Sequence, residues 1–249
     1  MTPAMLDGLY FDERYFWLIP LAFYVADNIK TIDEHELILL EDRALRWHAR
    51  LDKTPFLARG KHLYVLPLLL PYTIAFKLPW FRAGKAQEGV TAFRRQLVRW
   101  RAHAGALRTI GVCSFVLLFL VAPVLTLYRG LFNTLLVVLP PHLLLVLAAA
   151  LLLCMRRRAL RLGRWQTAGA IAELVLVPGF LPNLCRRIAW AALPQEVDGV
   201  AALRRVGDPA ASVALDDAVR FRLSEDWLGE DDAAAGGTAI AAYRRELGL

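Results

Sequence analysis

The fold is decided by residues 109–154, which read TIGVCSFVLLFLVAPVLTLY, then RG, then LFNTLLVVLPPHLLLVLAAALLLC. The first apolar run, Thr109 to Tyr128, has twenty uncharged residues, and the second, Leu131 to Cys154, has twenty-four. A helix that crosses a hydrocarbon layer of ~30 Å needs about 20 residues. Both runs are therefore expected to span a membrane. Because only Arg129 and Gly130 separate them, they must form a tight antiparallel hairpin.

Prolines lie inside both runs, at Pro123 and at Pro140-Pro141. Proline removes a backbone hydrogen bond and clashes with the preceding turn, so kinks or short breaks are expected at these positions. Such breaks persist in lipid only where protein or water satisfies the freed carbonyls. This favours an orientation in which Pro140, Pro141 and His142 face other helices.

The overall composition agrees with a membrane protein. The 249 residues are 57% hydrophobic and 21% charged, with a formal charge of +7 and a mean hydropathy of +0.41. An average soluble domain is ~45–50% apolar and ~25% charged. Collagen, disordered chains and disulfide scaffolds are excluded. The three cysteines have no C-x-x-C spacing and are expected to be small buried apolar residues. The acidic first fourteen residues do not resemble a cleavable signal.

Three further apolar segments are shorter or interrupted: Tyr15 to Ala26, His62 to Phe81 and Gln166 to Leu184. The first has twelve residues, which is too few to cross unaided. The other two contain several prolines as well as charged residues, Lys77 in one and Glu173 in the other. Each of the three could span the membrane, re-enter it, or lie in its interface.

The basic residues predict the orientation. Arg82 to Arg108 holds seven Lys/Arg against one acid, and Met155 to Arg164 holds five Arg and no acid. By the positive-inside rule, loops 82–108 and 155–165 are cytoplasmic and the Arg129 turn is outside. Segment 166–184 is flanked by basic residues on both sides, which favours a re-entrant hairpin broken at Pro178-Gly179 as much as a true span. These features predict a multi-pass protein of the inner, cytoplasmic membrane.

Two segments outside the long runs have a helical period. Thr31-Ile-Asp-Glu34 fits a capping box, and an apolar stripe at steps of three and four follows it from Leu37 to Leu51. A second stripe is flanked by arginines and consists of Phe93, Leu97, Trp100, Ala104 and Leu107. An aromatic face opposite an arginine face suits the membrane interface. The expected fold is therefore all-α, a polytopic helical integral membrane protein with a central two-helix hairpin, short or re-entrant Pro-broken helices, and amphipathic interfacial helices.

The arginines of the two basic segments are candidates for binding anionic lipid headgroups, which attract basic residues near the membrane surface. These candidates are Arg94, Arg95, Arg99, Arg101, Arg156, Arg157 and Arg158. A basic patch also suits nucleic acid. Because the first segment enters Thr109 without a linker, membrane lipids are the expected partner and nucleic acid is not.

Four regions are expected along the chain: a membrane-associated region 1–108, the hairpin 109–154, a basic loop with a re-entrant or third spanning segment 155–192, and an acidic soluble tail 193–249. The tail has six arginines and eleven acids, a charge of −5, so the preceding residues carry +12. Its acids are a candidate surface for a protein partner. They are also a candidate latch on residues 94–101.

Few residues point to chemistry. The sequence lacks the common metalloprotease, phosphate-loop, nucleophile-elbow and dinucleotide motifs, so no metal, cofactor or catalytic set is expected. Glu173 is the most unusual residue, because a carboxylate in an apolar run is unfavourable unless it is neutral, paired or near water. It is expected to pair with Arg186 or Arg187 if the chain folds back at Pro178-Gly179. The intramembrane polar candidates are Glu173, Arg186, Arg187, His142 and Asn183.

Two hypotheses about function remain from the sequence. The preferred one is a non-catalytic inner-membrane accessory, scaffold or assembly protein that interacts with lipids and a protein partner. The alternative is a small transporter, or a membrane-embedded enzyme acting on a lipid-linked substrate, in which Glu173 acts with Arg186 and Arg187. A hydrated cavity at Glu173 favours the second hypothesis, and a stoichiometric partner favours the first.

Overall fold

A computed structural model describes residues 13–33, 36–41, 47–50, 57–58, 61–79, 86–192 and 199–206, with residues 213, 215–217, 219–220, 241 and 245. Most of these residues are helical. Two helices, Phe93–Arg129 and Leu131–Arg156, are long and apolar enough to span a membrane, with mean hydropathies of 2.6 and 2.5. Only 28% and 22% of their most apolar windows are buried. The core helix of a soluble protein is mostly buried, so this exposure is compatible with a helical membrane protein.

The two long helices form the expected hairpin. Helix α2, Ala86–Val116, continues through a π turn, Leu117–Val121, into α3, Ala122–Arg129. Helix α4, Leu131–Arg156, runs back beside them. Gly130 alone forms the turn with φ of +77°, a left-handed conformation that glycine adopts without strain.

The prolines of the hairpin behave differently from one another. The π turn ends two residues before Pro123, whose missing N–H leaves a carbonyl of the preceding turn without its usual donor. By contrast, α4 stays helical through Pro140 and Pro141. These two prolines are exposed, so the expectation that they face other helices is wrong, whereas His142 is buried as expected.

Strands occupy the region between the first short segment and α2, so the expected all-α fold is wrong there. They are β1 Ile29–Asp33, β2 Glu36–Glu41, β3 Trp47–Arg50, β4 Leu57–Ala58, β5 Lys61–Val65 and β6 Ala75–Pro79. One sheet has the order β1-β5-β4 and the other β3-β2-β6, with antiparallel neighbours throughout. The helix expected to begin at Thr31 is therefore absent, because Thr31 pairs with Leu63 in the first sheet.

The burial of β2 explains this difference. Leu37, Ile38, Leu39 and Leu40 are all buried, as in a strand that is covered on both faces. Side chains from both sheets meet on one face of β2 in a cluster of Ile32, Ile38, Leu40, Tyr64, Leu66 and Ala75. An apolar run of this kind matches part of a helical stripe by chance, and continuous burial on two faces distinguishes the strand.

Segment 62–81 is likewise not a membrane span or a re-entrant helix over its described residues, 62–79. It consists of most of β5, a turn region from Leu66 to Ile74, and β6. Pro67 and Pro71 lie in the turn region, where a missing N–H is tolerated. Lys77 pairs with Glu36 at 2.6 Å across the neighbouring strands, so it does not snorkel as a membrane residue would.

The basic half of α2 packs on the second sheet. Its predicted helical stripe is correct, but the apolar face is buried in the main core against β2 and β6 and does not lie in a lipid interface. The Phe76 ring makes contact with Trp47 at 5.6 Å and with Trp100 at 5.5 Å between centroids. The apolar face of this part of α2 therefore contacts the second sheet, whereas the sequence predicted that it would contact the bilayer surface.

The first short segment lies along the hairpin. A 3-10 helix, Glu13–Trp17, leads into α1, Leu18–Asn28. At one end Glu13 accepts a hydrogen bond from the backbone of Leu131, beside the hairpin turn, and Trp17 donates to Thr126 at 2.7 Å. Further along, the Tyr24 ring contacts those of Phe115 and Phe119. The segment is therefore roughly 26 Å long and accompanies α2 and α3 over most of the apolar stretch.

The third segment reverses direction, and the break expected at Pro178-Gly179 is confirmed. Helix α5, Arg164–Leu176, is followed by a 3-10 helix, Pro178–Asn183, and by α6, Leu184–Ala192. The 3-10 helix packs closely between α1 and α2. A Cβ atom on Gly179 would lie 2.9 Å from the Pro20 carbonyl oxygen, and one on Gly111 would lie 3.1 Å from that of Pro182.

Part of the tail joins the core. Helix α7, Gly199–Val206, packs on α2, β2 and β3, and Val200, Ala202 and Leu203 are buried. Leu215 and Val219 are buried in the same core. Asp216 pairs with Arg204 at 3.0 Å within the tail. Most of the remaining acids of the expected latch lie outside the described residues.

Candidate functional site

A groove of about 380 Å³ opens between the end of α1 and the start of β1 on one side and α5 and α6 on the other. The break between α5 and α6 places it there, because residues of both helices line the groove. The walls are largely apolar and include Leu174, Phe180, Ile188 and Trp190. Four charged side chains line the same groove, namely Asp27, Lys30, Glu173 and Arg187, and we call them the charged tetrad.

The charged tetrad forms a chain of alternating ion pairs. Lys30 Nζ lies 3.1 Å from Asp27 Oδ1, and Arg187 Nη1 lies 2.8 Å from the same oxygen. The other terminal nitrogen of Arg187 donates to Glu173. The Arg187 guanidinium also lies over the Phe180 ring, 4.2 Å from its centroid, where the face of the ring attracts a cation. Two positive and two negative groups thus leave the tetrad without net formal charge.

The pairing of Glu173 with Arg187 is the arrangement expected if the chain folds back. The Glu173 side chain is 49% exposed and that of Arg187 25% exposed, so both are accessible from the groove. Asp27 is different, because its side chain is only 7% exposed. Its Oδ1 atom serves both cations, whereas Oδ2 is buried and has no hydrogen-bond partner in the part of the chain that the structure describes.

Arg186 does not belong to the groove, although it is adjacent to Arg187 in sequence. It is 1% exposed and bonds the turn between β5 and β6. Its Nε donates to the Thr73 carbonyl at 3.2 Å, and Nη2 donates to the Pro67 carbonyl and the Thr73 hydroxyl, both at 2.7 Å. The same guanidinium donates to Leu70 and Asn28. Burial lowers the pKa of Arg186, while Tyr24 and Asp27 oppose that effect. This side chain therefore holds elements together and has no donor directed into the groove.

The other intramembrane candidates do not meet at one place. Asn183 donates to the Tyr24 carbonyl at 3.1 Å, beside Arg186, which fits the backbone-bonding role of an amide in a broken helix. His142 is buried in the middle of α4, and neither of its ring nitrogens has a hydrogen-bond partner among the described residues. The structure thus brings Glu173 and Arg187 together and leaves His142 elsewhere.

The candidate headgroup arginines divide into two groups. Arg94, Arg95, Arg99 and Arg158 are exposed. Arg101 lies 2.7 Å from Glu41 and 5.4 Å from the centre of the Trp47 ring, and Arg156 donates to the His103 carbonyl at 2.6 Å. Arg157 is half-buried. Arg101 and Arg156 therefore already stabilise the junction of the helices with the sheet.

Asp27 and Lys30 are the site residues that the sequence interpretation missed. Asp27 ends the first apolar run, and Lys30 follows it by three residues. A charged pair directly after a short apolar run was the available signal. Their proximity to α5 and α6 was not predictable, because Asp27 and Arg187 are 160 residues apart.

Within the described residues, no three His, Cys, Asp or Glu side chains come together as metal ligands. Comparison of the chain with protein-family models, with curated proteins and with solved structures finds no match to any of them.

Proposed function

We propose that the protein is a non-catalytic scaffold or assembly component of the inner membrane, which holds a β-rich part at a fixed position against the cytoplasmic membrane face. The observation that carries this proposal is the continuity of the long helix. Residues 93–107 form part of the core beside the sheet, and the same helix enters the apolar run at Thr109. A rigid connection of this kind is what a scaffold needs, because it fixes the orientation of the attached surface.

In the proposed topology the first short segment and both long helices cross the membrane. Glu13 and Gly130 lie together at the outer end, and residues 82–108 and 155–165 lie in the cytoplasm. The re-entrant segment enters from the cytoplasmic side as far as Pro20. The exposed arginines, Arg94, Arg95, Arg99 and Arg158, bind anionic headgroups.

Site-directed labelling tests the topology. Single cysteines, or reporter fusions, after residues 30, 55, 90, 130, 165 and 200 are expected to give an outside signal only at 130. A periplasmic signal at 90 or 165 would overturn the orientation. Position 130 is the internal control, because the hairpin requires it to be on the side opposite to 90 and 165.

Purification in a mild detergent after cross-linking tests the scaffold role. A stoichiometric protein partner is expected, and its recovery should fall when the acidic residues 224–249 are deleted. Substitution of Asp217, which is exposed on the tail, to Asn is the matched control for a small change of charge. Absence of any stoichiometric partner of the full chain in native membranes would contradict the proposal.

A second candidate function is favoured by the groove itself. A small transporter, or a membrane enzyme for a lipid-linked substrate, would use Glu173 and Arg187, which are accessible in a cavity of about 380 Å³. Arg186 is not available for such a role, because its donors are used within the fold. Loss of a transport or lipid phenotype in Glu173→Gln at a normal protein level would favour this candidate over the scaffold.

A further inference from the structure

The groove combines features that restrict its ligand. A simple anion that approaches Arg187 meets the carboxylates of Asp27 and Glu173, and a simple cation that approaches Glu173 meets Arg187 and Lys30. A ligand with both charges close together avoids both repulsions. The tetrad thus favours a dipolar group over either ion alone.

The free oxygen of Asp27 specifies the positive part of that ligand. A buried carboxylate oxygen without a hydrogen-bond donor is unfavourable, and Asp27 Oδ2 accepts no hydrogen bond from the described residues. The terminal torsion of aspartate is soft, so the carboxylate can turn this oxygen towards a donor that enters the groove. A primary ammonium offers three N–H donors, whereas a quaternary ammonium offers none.

The cations of the tetrad suit the negative part. Lys30 and Arg187 are partly exposed, and each has hydrogens beyond those used for Asp27 and Glu173. Arginine and lysine are the usual ligands of a phosphate group in proteins. A phosphate bonded to a short chain that ends in a primary ammonium therefore matches the tetrad at both ends.

The surroundings of the groove indicate that this group carries acyl chains. Next to Glu173, α5 exposes Val175 and Leu176, which are 65% and 78% exposed. The groove walls at Leu174, Phe180 and Ile188 are apolar. At about 380 Å³ the groove is at the small end of ligand sites, which run to ~1,000 Å³, so it suits a headgroup with its chains outside.

We propose that the groove binds the headgroup of an ethanolamine-type phospholipid, with Asp27 and Glu173 accepting hydrogen bonds from the ammonium and Lys30 and Arg187 holding the phosphate. This inference rests on the membrane placement given under the proposed function. It adds a specific lipid to a protein whose exposed arginines bind anionic headgroups without such selectivity.

Native mass spectrometry of the purified full-length protein tests this proposal. The protein is titrated in detergent with phospholipids of identical chains and ethanolamine, choline or glycerol headgroups. The ethanolamine lipid is expected to bind about tenfold more tightly than the choline lipid, which corresponds to about 1.4 kcal/mol. Equal affinity for these two lipids would overturn the proposal.

Variants assign the preference to the groove. Glu173→Gln, at a half-exposed position, and Asp27→Asn are each expected to reduce the preference to less than about threefold, because each removes an ammonium acceptor's charge. Asp217→Asn makes the same chemical change on the exposed tail and should keep the full preference. Retention of the preference in a folded Glu173→Gln protein, checked by circular dichroism, would also overturn the proposal.

Free phosphoethanolamine distinguishes a lipid from a soluble ligand of the same chemistry. It is expected to compete only at concentrations far above those of the lipid, since it lacks the chains. Competition at equal concentration would overturn the assignment to a lipid.

The outcome of these lipid-binding experiments is independent of the scaffold role. Loss of lipid selectivity alone contradicts this inference, whereas a wrong topology or a missing partner contradicts the proposed function.

Discussion

Arg108 donates to the carboxylate of Glu41 at the point where α2 leaves the sheet and enters the apolar run at Thr109. The Glu41 side chain is 2% exposed and that of Arg108 is 13% exposed. Arg101, about two turns earlier on the helix, lies 2.7 Å from the same carboxylate. One buried glutamate of the central strand thus joins the sheet to the helix just before its apolar run begins.

Glu41→Ala is expected to lower the free energy of unfolding by about 3 kcal/mol, because it leaves the guanidinium of Arg108 buried without its anion. Thermal unfolding followed by tryptophan fluorescence measures the loss. In a double-mutant cycle, Arg108→Ala should add much less in the Glu41→Ala background than in the wild type. Independent, additive losses would show that this pair does not hold the helix to the sheet.

Arg186→Lys is expected to destabilise the protein severely, since an ammonium cannot replace a planar guanidinium that donates to five residues in different directions. The loss should be about 3 kcal/mol or more, and limited proteolysis should cut faster between residues 66 and 74. Arg187→Lys, at the partly exposed neighbouring position, is the matched control and should unfold near the wild-type temperature. Similar behaviour of the two variants would contradict the structural role of Arg186.

Gly179→Ala is expected to destabilise by about 1–3 kcal/mol, because the added Cβ would lie 2.9 Å from the backbone of Pro20 and must displace it. Gly105→Ala is the control, since a Cβ there meets nothing within 4 Å. In a helix interior that change should stabilise by up to about 1 kcal/mol. Unfolding temperatures of both variants check the opposite signs, and a neutral Gly179→Ala would argue against the close contact.

Burial raises the pKa of the Cys185 thiol to about 12 from an ordinary value of 9.0. In a protein with Cys113→Ser and Cys154→Ser, maleimide labelling of folded Cys185 should stay slow between pH 7 and 9, and labelling in denaturant should be fast. As the pH rises, the Cys185 thiol of the unfolded chain ionises at a lower pH than that of the folded protein. The contribution of the neutral, buried thiol to the free energy of unfolding is therefore complete below pH 9 and is lost as the pH rises towards 12. Fast labelling of the folded protein at pH 7 would contradict the burial.

The hairpin was predictable from sequence because its evidence is local. Twenty or more uncharged residues in a row have few alternatives, and the dipeptide between the runs leaves room only for a turn. The break at Pro178-Gly179 was predictable for the same reason, because the evidence for it is also local in the sequence. The expectation that all three cysteines are buried is wrong for Cys113 and Cys154, which are exposed on the hairpin helices, because these helices expose most of their apolar residues.

The strands were not predictable in the same way. Leu37 to Leu40 fits part of a helical stripe, and only the first sheet and α2, which cover its two faces, make it a strand. Of the ion pairs in the candidate site, the sequence predicted the one between Glu173 and Arg187 and did not predict the one between Arg187 and Asp27. Pairing of Glu173 with Arg187 required only that the chain turn back once. The pairing of Arg187 with Asp27 depends on how α1 packs, which no local pattern specifies.

In the proposed topology, the unbroken helix from the sheet into the apolar run also makes the protein a lever. The 23 residues of α2 before Thr109 are roughly 35 Å long, so a change of about 10° in the tilt of the helix moves their far end by roughly 6 Å. A bilayer that thins or thickens alters the tilt of its helices. The β-rich part would then swing with the helix, and any protein bound to it would register the thickness of the membrane as a displacement.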